Sequence, residues 1–183
     1  MFARDPMDRL VSAWKNKLHS MKIQFYYKKV TREILALNNP GKRIPEKGKE
    51  AWDDGFRLSF EQFIAWVVMS PYGLYNAYRD EHWKPIVDLC ELCKIDYDFI
   101  GHSSHFMEDI PIFMRKLNVS PEVLPQSYDS VNQHSAKLNS LIGSAPTEEY
   151  FKNVPKEQKV LLREIYRADY QALSFDLPEW LNV

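Results

Sequence analysis

Leu10, Trp14 and Leu18 recur every four residues behind Asp5-Pro6, a spacing that predicts a helix with Asp5 as cap, Pro6 at its first position and one apolar face. Ser59 and Gln62 form a capping box ahead of Phe60, Phe63, Ile64, Val67 and Val68, so a second helix should start at Ser59 and stop at Ser70-Pro71. Ile95 to Ile100 alternates apolar and polar positions for most of its length and stops at Gly101, which predicts a strand. A helix is expected within His105 to Leu117, disturbed near Pro111. The last helix should run from about Pro155 to Leu173, with Leu162, Ile165, Tyr166, Tyr170 and Leu173 inward. Between these elements, Asn38 to Lys49 and Pro121 to about Thr147 read as exposed loops.

Helices mixed with a buried strand point to an α/β fold. Met1-Phe2-Ala3 resembles the stub of a strand feeding the first helix, an arrangement typical of a parallel sheet. Its neighbours would have to come from upstream, so the expectation is a single incomplete domain over residues 1–183, helix-rich with a remnant of a central parallel sheet.

Composition sharpens this. The 183 residues are 45% hydrophobic, 27% charged and 14% aromatic, the profile of a chain that buries a sizeable core. The longest apolar run, Phe63 to Met69, is far short of the ~20 residues of a membrane helix, and no signal-peptide core follows Met1. Two cysteines exclude a disulfide-dense scaffold and a four-cysteine zinc site. Net charge is −1, but residues 1–49 carry twelve Lys and Arg against four Asp and Glu, leaving twelve against twenty-one for residues 50–183. Either the two parts cancel against each other, or the first presents a cationic surface to a phosphorylated or polyanionic ligand.

The stretch from Arg4 to Lys17 carries the chemistry. Unpaired N–H groups and the dipole at a helix N-terminus favour an anion, so Arg4 just ahead of the helix and the Ser12 hydroxyl in its second turn can clamp a phosphate. The residues alone leave open an ordinary capped helix with a partly buried arginine.

Five stretches in order resemble one family. Arg4-Asp5-Pro6 with Arg9-Leu10, Ser12-Ala13 and Lys17 is similar to the 3′-phosphate motif of Golgi carbohydrate sulfotransferases. Phe60 to Ile64, Asp80-Glu81-His82-Trp83-Lys84-Pro85, Leu89 to Gly101, and Tyr150-Phe151 through Tyr170 continue the likeness, nearest to the chondroitin, dermatan and HNK-1 type enzymes. The resemblance implies a P-loop-like sulfotransferase fold and transfer of the sulfuryl group of 3′-phosphoadenosine 5′-phosphosulfate (PAPS) to a glycan hydroxyl, as in chondroitin. Arg4 and Ser12 would hold the nucleotide 3′-phosphate, with the basic segment 1–49 facing the anionic nucleotide and glycan. It further implies the luminal side of the Golgi membrane, no metal and no nucleic-acid partner.

Two departures qualify the likeness. The family's basic 5′-phosphosulfate loop lies upstream of the 3′-phosphate motif, and these residues contain none; Gly41-Lys42 lies on the wrong side. After Gly101, many relatives have a lysine and then Glu-Thr-Leu, where this chain has His102-Ser103-Ser104-His105. The alternative is therefore a non-catalytic paralogue that keeps a 3′-phosphoadenosine-binding or protein-interaction role.

His82 is a candidate base by its chemistry, set against a structural hydrogen bond. His102 and His105 are spaced as metal ligands can be, but no carboxylate or cysteine motif joins them. Cys90 and Cys93 precede the expected strand rather than follow it, unlike a redox pair, and read as structural; a disulfide between them, or to other cysteines, stays open. Asn118-Val119-Ser120 is a glycosylation sequon.

Overall fold

The computed structural model describes residues 1–69, 80–120 and 146–182. Phe2–Ala3 (β1) pairs in parallel with Gly101–His102 (β2), in the register Phe2 to Gly101 and Ala3 to His102. This two-stranded sheet sits against a helical body. Asp5 ends β1 and opens α1 (Pro6–Ala13), its Oδ1 accepting from the N–H groups of Met7 at 2.8 Å and Asp8 at 3.1 Å. The helix continues as a wider π-helical stretch over Trp14–His19. After a turn, Gln24–Tyr26 (α2) runs through a second π stretch, Tyr27–Thr31, into Arg32–Asn38 (α3).

The expected loop from Asn38 to Lys49 is shorter at both ends, because Asn38 closes α3 and Gly48–Asp53 forms α4. Gly48 is required there. A Cβ at this position would lie 2.0 Å from the Met21 carbonyl oxygen, so the 19–24 turn and α4 can pack only with glycine between them. Met21 itself takes φ 55° and is buried.

The capping box forms as expected. Ser59 N–H donates to Gln62 Oε1 at 3.0 Å, and Gln62 N–H donates to Ser59 Oγ at 3.2 Å, opening α5 (Phe60–Met69). Phe60, Phe63, Ile64, Val67 and Val68 are all buried. The expected stop at Ser70-Pro71 lies outside the described residues, as does most of the loop beginning at Pro121. That loop's far end is met at α8 (Thr147–Phe151).

The strand expected over Ile95 to Ile100 is not one. Among the described residues its one strand-like neighbour is the start of the chain: Met1 N donates to Phe99 O at 2.5 Å, Gly101 N to Met1 O at 2.9 Å, and the ladder proper holds only Gly101 and His102. Alternation marks faces, but a strand also needs a partner along its length. Tyr97 and Phe99 do turn inward, whereas Ile95 and Ile100 are exposed.

Ile86–Leu89 forms the short α6, and Phe106–Lys116 forms α7, which continues through Pro111 rather than breaking there. It ends at Asn118 in the left-handed region (φ 54°), with Val119 N–H donating to Met114 O, an asparagine version of a common helix stop. Lys156–Ala172 is α9, bounded by Pro155 and Leu173 as expected.

The main core joins α1, α5 and α9: Met7, Leu10, Phe63, Trp83, Phe151, Leu162 and Tyr166 are at most 1% exposed. At about 1.5–3 kcal/mol for each large side chain buried, this cluster fixes α1 against the rest. The cleft described next is cut into the face of α1 that remains.

Candidate functional site

A cleft of about 220 Å³ lies along the solvent side of α1, walled by Arg4, Arg9, Ser12, Asn16, Lys17 and, from the opposite side, Glu81 and His82. Arg4 and Ser12 thus share one cavity. Arg4 is about half exposed and, among the described residues, held by a loose contact to Asp8 at 3.8 Å, so its guanidinium can turn to an incoming anion. Ser12 Oγ accepts from Asn16 Nδ2 at 3.2 Å. One of its two lone pairs is engaged, and its own proton can donate to an acceptor such as a phosphate oxygen. Three cations against Glu81 suit an anionic ligand.

Arg9 builds the opposite wall. Its guanidinium donates to Lys84 O at 3.0 Å and Glu81 O at 2.8 Å, pinning residues 81–84 beside α1. Burial pushes this guanidinium down from its ordinary value, while Tyr166 and Asp169 oppose the shift; it stays charged.

His82 faces the same cleft, and its far nitrogen is tied down. Nδ1 lies 2.9 Å from Asp80 Oδ1 and 3.0 Å from the Tyr26 hydroxyl oxygen. Asp80 is buried, accepts from Lys29 Nζ at 2.8 Å and also from the His82 N–H at 3.1 Å. Burial alone would raise this carboxyl; the hydrogen bonds from Lys29 and His82 outweigh burial and hold it below its ordinary value. An ionised carboxylate only accepts, so Nδ1 is assigned the proton and Nε2 is left as the basic nitrogen. Burial, then the charges of Asp80 and Glu81, raise the Tyr26 phenol, which keeps it neutral.

The segment 80–85 is fixed from behind as well. Asp169, buried, accepts from Ile86 N and Val87 N, each at 2.8 Å, while Tyr166 OH donates to Trp83 O at 2.6 Å. Asp169 thereby caps α6 from another helix. Asp5 and Asp169 are both raised by burial, against the N–H groups that favour their ionised forms.

The other sequence candidates lie elsewhere. His102 Nε2 stands 2.7 Å from Leu173 O, and its ring stacks on Phe175 at 4.4 Å. His105 stacks on His102 at 5.9 Å. Among the described residues no group of three or more His, Cys, Asp or Glu converges on one point. Cys90 and Cys93 are free thiols in the turn after α6, and Asn118 is exposed.

The sequence places Arg9 and Lys17 in the motif without a role of their own and assigns Asn16 none, although helical spacing from Arg4 and Ser12 puts all three on neighbouring turns of one face. It marks Asp80 only as part of a family-like segment and does not single out Lys29 and Tyr26, because their contacts to Asp80 and His82 span 51 and 56 positions.

Comparison with known proteins adds an independent line. The model of the family described as "Sulfotransferase family" matches residues 1–176. The chain is similar to Carbohydrate sulfotransferase 12 of Mus musculus, 30% identical over 98% of this chain and 40% of that protein. It is also similar to Carbohydrate sulfotransferase 11 of Rattus norvegicus, 26% identical over all of this chain and 48% of that protein, and to Carbohydrate sulfotransferase 9 of Homo sapiens, 26% identical over 97% and 37%. The chain spans less than half the length of these curated relatives. No solved structure matches it. Among the described residues no helix is long and apolar enough to cross a membrane. Since the family match runs without division from β1 through the cleft to the end of α9, this chain belongs to the sulfotransferase family.

Proposed function

We propose that the protein is a carbohydrate sulfotransferase that moves the sulfuryl group of PAPS to a hydroxyl of a glycosaminoglycan or glycoprotein glycan such as chondroitin, in the Golgi lumen, on a P-loop-like fold. The observation that carries this reading is one cleft lined by Arg4, Ser12 and His82 together. Arg4 supplies charge and Ser12 a hydroxyl proton to the nucleotide 3′-phosphate. The acceptor oxygen attacks sulfur, the bond from sulfur to the 5′-phosphate oxygen breaks, and the bond's electrons stay on that oxygen, leaving adenosine 3′,5′-bisphosphate. The acceptor proton passes to His82 Nε2, which Asp80 and Lys29 orient from behind.

The test is transfer from labelled PAPS to chondroitin, dermatan and a glycoprotein glycan. Transfer to at least one, falling about 100-fold or more in His82→Asn, is expected for a lost general base. Transfer unaffected by that substitution would remove His82 from the chemistry. No transfer to any acceptor, with nucleotide still bound, would leave a binding module in place of an enzyme.

A further inference from the structure

A second and larger cleft, of about 710 Å³, opens where the π-helical end of the first helical run meets α4. His19, Ser20, Lys22, Lys47, Lys49 and Trp52 line it. Its walls are set by the Gly48 contact with Met21 described above, so its shape belongs to the fold rather than to loose side chains. Gln24 reinforces the seam, its Nε2 donating to Glu46 O at 2.9 Å while its Oε1 accepts from Gly48 N at 3.1 Å.

Two features define what fits. Trp52 is held in orientation: the Arg57 guanidinium lies 3.6 Å from its ring centroid, and the His19 ring meets it perpendicularly at 6.0 Å. An indole fixed in this way gives a flat apolar surface with low entropic cost on binding. Around it stand three lysines against Asp53. Lys47 pairs with Glu50 at 3.1 Å and Lys49 with Asp53 at 2.5 Å, both as exposed pairs, which are weak and salt-screened. An incoming carboxylate or sulfate can take over such lysines. Lys22 is exposed and makes no ion pair among the described residues.

An apolar plate ringed by cations matches a chain of sugar rings that carry carboxylate or sulfate groups: the carbon faces pack on the ring and the anions meet the lysines. The cleft also stands in register with the first one. Ser12, Asn16 and Lys17 line the first, His19 and Ser20 the second, and Ser12 and His19 lie seven positions apart on one helical run, no more than about 10 Å at α-helical rise. Lys17, two residues before His19 on that run, has its ammonium 5.7 Å from the ring of Tyr26, the residue against His82.

We propose that this second cleft is the acceptor subsite and holds an anionic glycan segment on Trp52 between Lys22, Lys47 and Lys49. Its role as an acceptor site rests on the proposed sulfotransferase reading; its capacity to bind an anionic glycan does not.

The experiment is calorimetric titration of the 183-residue chain with a chondroitin sulfate hexasaccharide, with neutral chitohexaose as the uncharged comparison, and separately with adenosine 3′,5′-bisphosphate. The hexasaccharide is expected to bind at least tenfold more tightly than chitohexaose. Lys22→Glu combined with Lys49→Glu should weaken it at least tenfold and leave nucleotide affinity within about twofold, while Lys156→Glu, an exposed position outside both clefts, should change neither. No hexasaccharide binding, or an equal loss in Lys156→Glu, would overturn the site. If the hexasaccharide behaves as expected but no variant or parent chain binds the nucleotide, the cleft is a glycan site and its acceptor role is overturned.

Discussion

His82 Nδ1 stands 2.9 Å from a carboxylate, Asp80 Oδ1, that is itself buried and bonded to Lys29. The relationship dictates the tautomer of the imidazole and so which nitrogen is left to accept a proton. Nitrogen-15 spectra of neutral His82 should report the proton on Nδ1, and Asp80→Asn should move a substantial fraction to Nε2, because the amide can offer its NH₂ to Nδ1. A parent protein with the proton on Nε2 would contradict the assignment.

Asp80 also predicts a pH dependence. Its folded value lies below the ordinary 3.8 because hydrogen bonds from Lys29 and His82 outweigh burial. Such a carboxylate contributes stability above its unfolded value, and that stability is lost as pH falls through the folded value. Asp5 and Asp169 run the other way. Their folded values are raised, so their contribution is present at low pH and lost as pH rises through those values. The difference between parent and Asp80→Asn isolates the first effect: urea midpoints should converge as pH is lowered from about 4 to 2. A constant gap across that range would contradict it.

Asp169 holds two buried N–H groups from outside their own helix. Asp169→Ala leaves Ile86 N and Val87 N without acceptors, with an expected loss of about 2–4 kcal/mol in urea unfolding. Asp169→Asn keeps one acceptor oxygen and should lose about half as much.

Gly48→Ala tests the seam between the 19–24 turn and α4. The added methyl would sit 2.0 Å from a backbone oxygen, so the two segments must separate, at about 1–3 kcal/mol of overpacking strain. A variant as stable as the parent in thermal unfolding would show that this approach is not obligatory.

What was legible in the residues, and what was not, follows the range of the interactions. Asp5 capping α1 and the reciprocal Ser59 and Gln62 bonds are local, closing over two or three positions, and both could be read directly. The inward set of α9 likewise follows from helical spacing alone. The Asp80 to Lys29 pair spans 51 positions and the two Arg9 bonds to carbonyls span 72 and 75; no window of local sequence contains them. The segment from Ile95 to Ile100 failed for a related reason, since its period marks two faces but says nothing of whether another strand lies alongside. The π-helical stretch at Trp14–His19, which carries the helical run from one cleft to the other, has no sequence pattern of its own here.

The central claim is that Arg4 and Ser12 hold one nucleotide phosphate. Calorimetric titration with adenosine 3′,5′-bisphosphate measures it directly. Saturable binding by the chain is expected, weakened about 1.5–3 kcal/mol by Arg4→Ala and by a smaller amount, about 0.5–1.5 kcal/mol, by Ser12→Ala, with Lys152→Ala, an exposed position outside the cleft, unchanged. Binding that is indifferent to both Arg4 and Ser12, or no binding by a folded chain, would contradict it.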